Sequence, residues 1–251
     1  MDKLTDVFPE LRDYSAADFA ALASSKPVLM MAITPRTGST NLCDAYSRSL
    51  KVGEPVEIFN PRGVAQWQKK KRGVADFRSY MMSLYADPGE WFGFKVSWPQ
   101  FGFFVPYYKL MFPNLKVVYL DRYDVEAQAV SLFKAVVSGE WHKKTGSDAG
   151  RKMAPEELDA KFDLQQICQT IRNVEAGKKQ WRSFFFDEGI YPAYVYYEDF
   201  AKDVNRAIEY IVKFIGVDYS SCATVESQLS QLADEINENW VKRVNKHRLG
   251  K

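Results

Sequence analysis

The feature that most constrains this chain is a six-residue apolar run, Val28-Leu29-Met30-Met31-Ala32-Ile33. It leads into Thr34-Pro35-Arg36-Thr37-Gly38-Ser39-Thr40 and then into Leu42, Tyr46 and Leu50 at helical spacing. An apolar run without polar alternation suits a strand buried on both faces, the situation of a parallel sheet covered by helices. The unit recurs. Lys116-Val117-Val118-Tyr119-Leu120 reads as a second strand, followed by Asp121-Arg122-Tyr123-Asp124 and an inward face at Val125, Ala129, Leu132, Phe133 and Val136. Ala193-Tyr194-Val195-Tyr196-Tyr197 reads as a third, followed by Glu198-Asp199 and a helix with Val204, Ile208, Ile211 and Ile215 inward, closed by Gly216. Alternating strands and helices predict an α/β fold, a central parallel sheet flanked by helices. A further helix is expected after Pro155, carrying Leu164, Ile167, Ile171 and Val174. No linker or repeat divides the chain, so residues 1–251 are read as one domain with an aromatic-rich insertion at about 55–112.

Composition narrows the function classes. Lys and Arg number 34 against 32 Asp and Glu, a net charge of +2. That balance is too even for massed phosphate neutralisation, and no nucleic-acid partner is expected. Any anion must be caught by a specific site. Cys43, Cys168 and Cys222 are odd in number and widely spaced, so they read as reduced thiols rather than a disulfide framework or metal ligands. With only His142 and His247, a His-rich metal site is excluded, and chemistry falls to carboxylates, hydroxyls and cations. The run at 28–33 is too short to span a bilayer and follows an acidic segment, so a cytoplasmic protein is expected.

Ligands of parallel sheets bind outside the carboxyl ends of the strands, where Pro35 to Thr40 lie. Gly38 permits close backbone approach, and the amides of Gly38, Ser39 and Thr40 open a helix, the usual setting for an anion. Thr37, Ser39 and Thr40 add hydroxyls, and Arg36 adds a fixed charge. The competing reading is a plain turn with Ser39 or Thr40 as N-cap. A triphosphatase loop needs Gly, four residues, Gly-Lys and then Ser or Thr, and no Lys follows Gly38. A shorter 5′ phosphate group suits this loop better. At the second strand end stands Arg122, and Ser131 follows nine positions later, about two and a half turns into the next helix. An Arg with a hydroxyl suits a terminal phosphate monoester, the alternative being an Arg paired with Asp121 or Asp124 at the surface.

Taken together, Pro35-Arg36-Thr37-Gly38-Ser39-Thr40, Arg122-Tyr123-Asp124 and Gln128-Ala129-Val130-Ser131 resemble the sulfotransferases that use 3′-phosphoadenosine 5′-phosphosulfate (PAPS). More narrowly, the chain resembles the bacterial trehalose 2-sulfotransferase family. Gly53-Glu54-Pro55-Val56-Glu57, Gly93-Phe94-Lys95-Val96-Ser97-Trp98, Trp181-Arg182-Ser183-Phe184-Phe185 and Trp240-Val241-Lys242-Arg243 match in family order. The resemblance implies a P-loop-like sulfotransferase fold, a PAPS donor and a homodimer. It places the 5′-phosphosulfate on Arg36, Thr37, Gly38, Ser39 and Thr40, and the 3′-phosphate on Arg122 and Ser131. It also makes Glu57 the general base and Glu54 an acceptor-sugar contact, so the implied acceptor is a carbohydrate or glycolipid. The residues themselves fit this division. A sugar hydroxyl is a poor nucleophile that needs a carboxylate in reach, and Phe59, Trp98 and Phe101 are expected to shield it. Arg36 would stabilise the leaving phosphate, Lys95 is a second candidate cation, and Trp98 is placed on the acceptor side. No metal is required. The acceptor-side residues Ile58-Phe59-Asn60 and Tyr123 depart from the family pattern, which leaves the acceptor open.

Two other readings stand beside this one: a nucleotide kinase, and a nucleotide-binding protein without turnover. Lys69-Lys70-Lys71-Arg72 reads first as a solvated helix face and otherwise as a peripheral contact with lipid headgroups or an anionic glycan. Ten aromatics from Trp91 to Phe112 read as core or dimer interface. The basic segment Lys242, Arg243, Lys246, His247 and Arg248 reads as a tail and is left outside the site.

Overall fold

Burying both faces of a six-residue apolar strand requires a helical layer on each side of it, and the computed structural model shows that arrangement. Residues 3–50, 53–70, 73–86, 89–141, 153–225 and 235–249 are described. Strand β1 (Val28–Ile33) is followed by α1 (Ser39–Leu50), α2 (Pro61–Lys70) and α3 (Phe77–Tyr85). Then come β2 (Phe92–Ser97), β3 (Leu115–Asp121), α4 (Val125–Ser138), α5 (Leu164–Asp187), β4 (Ala193–Tyr196), α6 (Val204–Ile215) and α7 (Glu235–Leu249). One-turn helices punctuate these, among them Trp98–Phe101 and Tyr197–Phe200.

The four strands form one parallel sheet in the order β2-β1-β3-β4. Ile33 pairs with Ser97 on one side and Leu120 on the other, and Asp121 pairs with Tyr196. This register brings the four carboxyl ends to one edge. The segments that follow them, starting at Thr34, Trp98, Arg122 and Tyr197, therefore converge at the edge where such sheets bind ligands.

Alternate residues of β1 serve two cores, as the two-residue period demands. Leu29, Met31 and Ile33 meet Leu42, Cys43 and Tyr46 of α1 and Ile208, Ile211 and Val212 of α6. Met30 and Ala32 belong with Phe94, Val96, Tyr119, Trp181 and Phe184. The segment read as an aromatic-rich insertion supplies β2 to the sheet and most rings of this second core. Gly216 ends α6 in the left-handed conformation, φ 86°, as the sequence indicated.

Three details differ from the sequence reading. Pro155 opens only the short helix Pro155–Asp159, and Asp163 restarts the chain by capping α5 through Gln166 N–H at 3.0 Å. On α4, Val136 is exposed while Gln128 and Ser131 are buried, because the inward arc of this helix faces the first strand's loop as well as the core. The basic segment at 242–248 is no tail. It forms α7, whose Trp240 and Val244 are fully buried against Ala129, Val130 and Phe133 of α4 and Ile167 and Ile171 of α5. Trp240 Nε1 donates to Asp159 at 2.7 Å, and the Arg243 guanidinium lies over the Phe162 ring at 3.5 Å. Of the basic run at 69–72, Lys69 and Lys70 close α2, and Lys71 and Arg72 lie outside the described residues, as does His142.

Trp240→Ala is expected to lower unfolding free energy by about 3–5 kcal/mol, the range for emptying a fully buried indole site. Urea denaturation reads this directly; a loss under 1 kcal/mol would show that α7 does not dock as described.

Candidate active site

The loop after β1 is held rigidly. Arg36 adopts φ 68°, a left-handed conformation that costs a non-glycine residue about 1–2 kcal/mol, and Gly38 adopts φ 73°. Left-handed residues placed in such turns gather backbone N–H groups into anion-binding concavities. Buried Thr37 donates its hydroxyl to Thr34 O at 3.0 Å, tying the turn across its base. Gln128, fully buried on α4, donates from Nε2 to Thr34 Oγ1 at 2.8 Å and to Pro35 O at 2.7 Å. Below the loop, Trp181 Nε1 donates to Ile33 O at 2.9 Å. Gly38 admits no side chain: a Cβ there would stand 2.7 Å from Phe200 Cζ and 2.8 Å from Tyr197 Cδ2.

Arg36 and Ser131 meet. Arg36 Nε donates to Ser131 Oγ at 3.0 Å and Nη1 donates to Trp141 O at 2.7 Å. Since Ser131 accepts this bond, its own proton stays available for an anion. The sequence reading grouped Ser131 with Arg122; the structure places it in direct contact with Arg36. Burial holds the Arg36 guanidinium below the usual arginine range, and the positive charge of Arg122 adds to that effect. The two cations therefore feel each other.

Arg122 is the more isolated of the pair. Its side chain is 15% exposed, lies over the Tyr197 ring at 4.5 Å and has Glu198 Oε1 at 3.6 Å. Its Nε is buried and makes no hydrogen bond among the described residues. The acids expected as alternative surface partners are otherwise engaged. Asp124 caps α4 through Ala127 N–H at 2.7 Å, and Asp121 pairs with Lys178 at 2.7 Å and Arg182 at 3.1 Å. A cleft of about 320 Å³ opens beside Arg122, walled by Asp124 and Ala127 of the α4 turn and by Asn237, Val241 and Lys242 of α7. The C-terminal helix thus borders the site.

On the other flank, Lys95 is buried in β2 and donates to Thr40 Oγ1 at 2.9 Å, so its charge sits at the N-terminus of α1. Val56 bridges Phe94 in parallel and accepts from Lys95 N–H at 3.0 Å, which lays the segment carrying Glu54 and Glu57 along the edge of β2. Glu57 is half-buried. Its Oε2 accepts from Asn60 Nδ2 and Gln100 Nε2, both at 2.9 Å, and Oε1 makes no hydrogen bond among the described residues. Desolvation raises the Glu54 carboxyl above the usual range and nearby Lys95 opposes it. Burial pushes the Cys43 thiol up to about 12, which removes it as a nucleophile. Trp98 packs edge-on against Trp181 at 5.1 Å and borders a groove of about 280 Å³ with Val105, Ser183, Phe184 and Asp187. Among the described residues no group of three His, Cys, Asp or Glu could hold a metal ion, and no helix is long and apolar enough to cross a membrane.

Gln128, Lys178, Trp181, Tyr197 and Glu198 were not assigned roles from sequence. Lys178 carried a usable signal: it falls on the inward arc of α5 with Ile171, Val174 and Trp181, where a charge is out of place. Tyr197 and Glu198 follow a strand end, the position that singled out Arg36 and Arg122.

Gly38→Ala should lose about 1–3 kcal/mol of stability, from left-handed strain and from contact with Tyr197 and Phe200. An alanine variant as stable as the parent in chemical denaturation would show that these rings do not press on the turn. Lys95→Met should move Glu54 ionisation to higher pH, because the charge opposing desolvation is gone; an NMR titration of that carboxyl showing no upward movement would refute the coupling.

Comparison with known proteins gives concordant results. A trehalose 2-sulfotransferase of Mycobacterium tuberculosis is 28% identical over 128 residues, covering 50% of this chain and 44% of that protein. A trehalose 2-sulfotransferase of Mycolicibacterium smegmatis is 22% identical over 250 residues, covering 83% of this chain and 90% of that protein. The Stf0 sulphotransferase family matches residues 28–247, which takes in the sheet, Arg36, Arg122 and all but the last two residues of α7, and the chain belongs to that family.

Proposed function

We propose that the protein transfers a sulfuryl group from PAPS to a hydroxyl of a carbohydrate or glycolipid, with Glu57 as general base. The observation that supports this reading best is a glycine turn opening a helix at the end of β1, where Arg36 is bonded to Ser131, with Arg122 at the end of the adjacent strand β3 and close enough for its charge to act on Arg36. A donor with phosphate at both the 5′ and 3′ positions of one ribose presents two anions a short distance apart, which two neighbouring, incompletely paired arginines fit. The donor supplies a sulfuryl group on a good leaving group. Everything else falls to the chain.

In this reading the amides of Gly38, Ser39 and Thr40, with the hydroxyls of Ser39 and Thr40, take the 5′ end, and Arg122 with Ser131 takes the 3′-phosphate; the Thr37 hydroxyl, expected from sequence to join them, is fully buried and spends its proton on Thr34 O. Arg36 and Lys95 face the oxygens on which negative charge accumulates as the acceptor oxygen bonds to sulfur and the bond to phosphate breaks. Glu57 receives the hydroxyl proton at Oε1. The two amides on Oε2 fix the carboxylate plane, so the base waits in one orientation and little ordering remains for the reaction itself. Glu54, on the segment laid along β2, and Trp98, which borders the groove beside Ser183 and Asp187, are assigned to the acceptor, since a carboxylate and an indole suit the hydroxyls and apolar face of a pyranose. The two trehalose 2-sulfotransferase relatives support a sugar acceptor. We read the chain as one catalytic domain that works as a homodimer in the cytoplasm, with peripheral membrane contact if the acceptor is lipid-linked.

Adenosine 3′,5′-bisphosphate should raise the melting temperature more than equimolar AMP or ATP does, by preferential binding to the folded state. Preference for ATP with Mg²⁺ would favour a kinase instead. Arg122→Ala should weaken bisphosphate binding about 10- to 100-fold, the loss of charge-assisted hydrogen bonds to one phosphate. Glu57→Gln should retain donor affinity while kcat falls about 10²–10⁴-fold, measured as labelled sulfate transfer to a glycan panel. Undiminished turnover in that variant would remove Glu57 from the base role.

A further inference from the structure

Every polar group of the Arg122 main chain is bonded to a buried ion pair that takes no part in the chemistry above. Lys178 on α5 has a side chain only 10% exposed, and its ammonium donates to Asp121 Oδ1 at 2.7 Å and to Arg122 O at 2.5 Å. Asp121, 3% exposed, accepts from Arg122 N–H at 2.8 Å and from Arg182 Nη2 at 3.1 Å. So the N–H of Arg122 is held by the acid of the pair and its C=O by the base. The side chain is treated the opposite way, with a buried Nε that makes no hydrogen bond among the described residues and a single acid at 3.6 Å. A backbone fixed at both ends beneath an under-used guanidinium is the arrangement of a preorganised anion receptor.

We propose that Lys178 is a positioning residue for donor recognition: through Asp121 and the Arg122 carbonyl it sets where the guanidinium meets the 3′-phosphate. The inference rests on the donor assignment made above and deepens it. A buried ion pair contributes little net stability compared with apolar residues of the same volume, so stability alone does not account for this one. The neighbours of Lys178 supply a second role. Gly177 lies against the Thr34 methyl, at 3.5 Å from where a Cβ would sit, and Trp181 holds Ile33 O at 2.9 Å. A single turn of α5, residues 177–181, therefore grips the end of β1 and the end of β3 together, and fixes the spacing of the two anion sites.

The test is calorimetric binding of adenosine 3′,5′-bisphosphate and of AMP to the full chain. The parent should prefer the bisphosphate; if it does not distinguish the two, the donor assignment fails and this inference with it. Lys178→Met should cut that preference at least tenfold and change AMP affinity less than threefold, because the 5′ site does not depend on Arg122. Lys178→Arg should restore most of it. Since Lys178→Met leaves the buried Asp121 charge with Arg182, itself largely exposed, as its ionic partner, the double variant Lys178→Met with Asp121→Asn removes that under-compensated charge, keeps an acceptor for Arg122 N–H and is checked for folding by near-UV circular dichroism. The double variant should likewise lose the preference. A folded variant lacking Lys178 that keeps the parental preference overturns the proposal, and so do equal losses for both nucleotides, which would mark Lys178 as a support of the fold alone.

Discussion

Two guanidinium groups near one another repel, and the charge on Arg36, already disfavoured by burial, is disfavoured further by Arg122. Nothing among the described residues relieves this fully. Glu198 stands 3.6 Å from Arg122, and Arg36 is satisfied by neutral oxygens, the Ser131 hydroxyl and the Trp141 carbonyl. The unfolded chain would let the two charges separate, so their proximity works against folding. The covered sheet offsets it, with five residues of β1 wholly out of solvent and aromatic rings layered on both cores. Local rules yield at a site because the rest of the molecule holds it in place.

What resists the repulsion is backbone anchoring. The ends of β1 and β3 are each tied to α5, at Ile33 O by Trp181 and at Arg122 O by Lys178, while Gln128 of α4 holds Thr34 and Pro35. All of these bonds lie at low exposure, where a hydrogen bond is electrostatically stronger than in water and leaving one partner unsatisfied is costly. Side chains of Arg and Lys are flexible in isolation. Here their side chains are held as well, Arg36 by Ser131 and the Trp141 carbonyl, Arg122 over the Tyr197 ring and Lys95 by Thr40, so each has less rotamer freedom to lose on meeting an anion.

The legible part of the molecule was the part governed by apolar pattern and turn chemistry. The continuous run at 28–33, the helical spacing of Leu42 and Tyr46 and the cap at Gly216 declare their structures because burial on both faces and left-handed backbone each admit few residue types. Arg36, Arg122 and the turn at Gly38 were legible as candidates because strand ends of parallel sheets are where ligands bind. The supporting residues were hidden for one shared reason: they are polar groups on inward arcs. Gln128 breaks the apolar face of α4, on which the inward set was extended to the exposed Val136, and Lys178 interrupts the apolar arc of α5. The segment 235–249 failed in the other direction. Its Lys, Arg and His residues masked the four-residue spacing of Ile236, Trp240 and Val244, which is enough apolar surface to dock a helix whose other faces are charged.

Lys95 joins the two halves of the site. From a buried position in β2 it reaches Thr40 at the start of α1, and its charge also opposes the desolvation of Glu54 on the neighbouring edge segment. An anion seated at Thr40 would share this ammonium with Glu54, and less of the charge would remain to oppose burial of the carboxyl. Glu57 is placed differently, its Oε2 tied to Asn60 and Gln100, two amides that carry no charge and do not respond to an anion. The two carboxylates three residues apart therefore differ in what surrounds them: one lies in the field of a buried ammonium, and the other is held by two neutral amides.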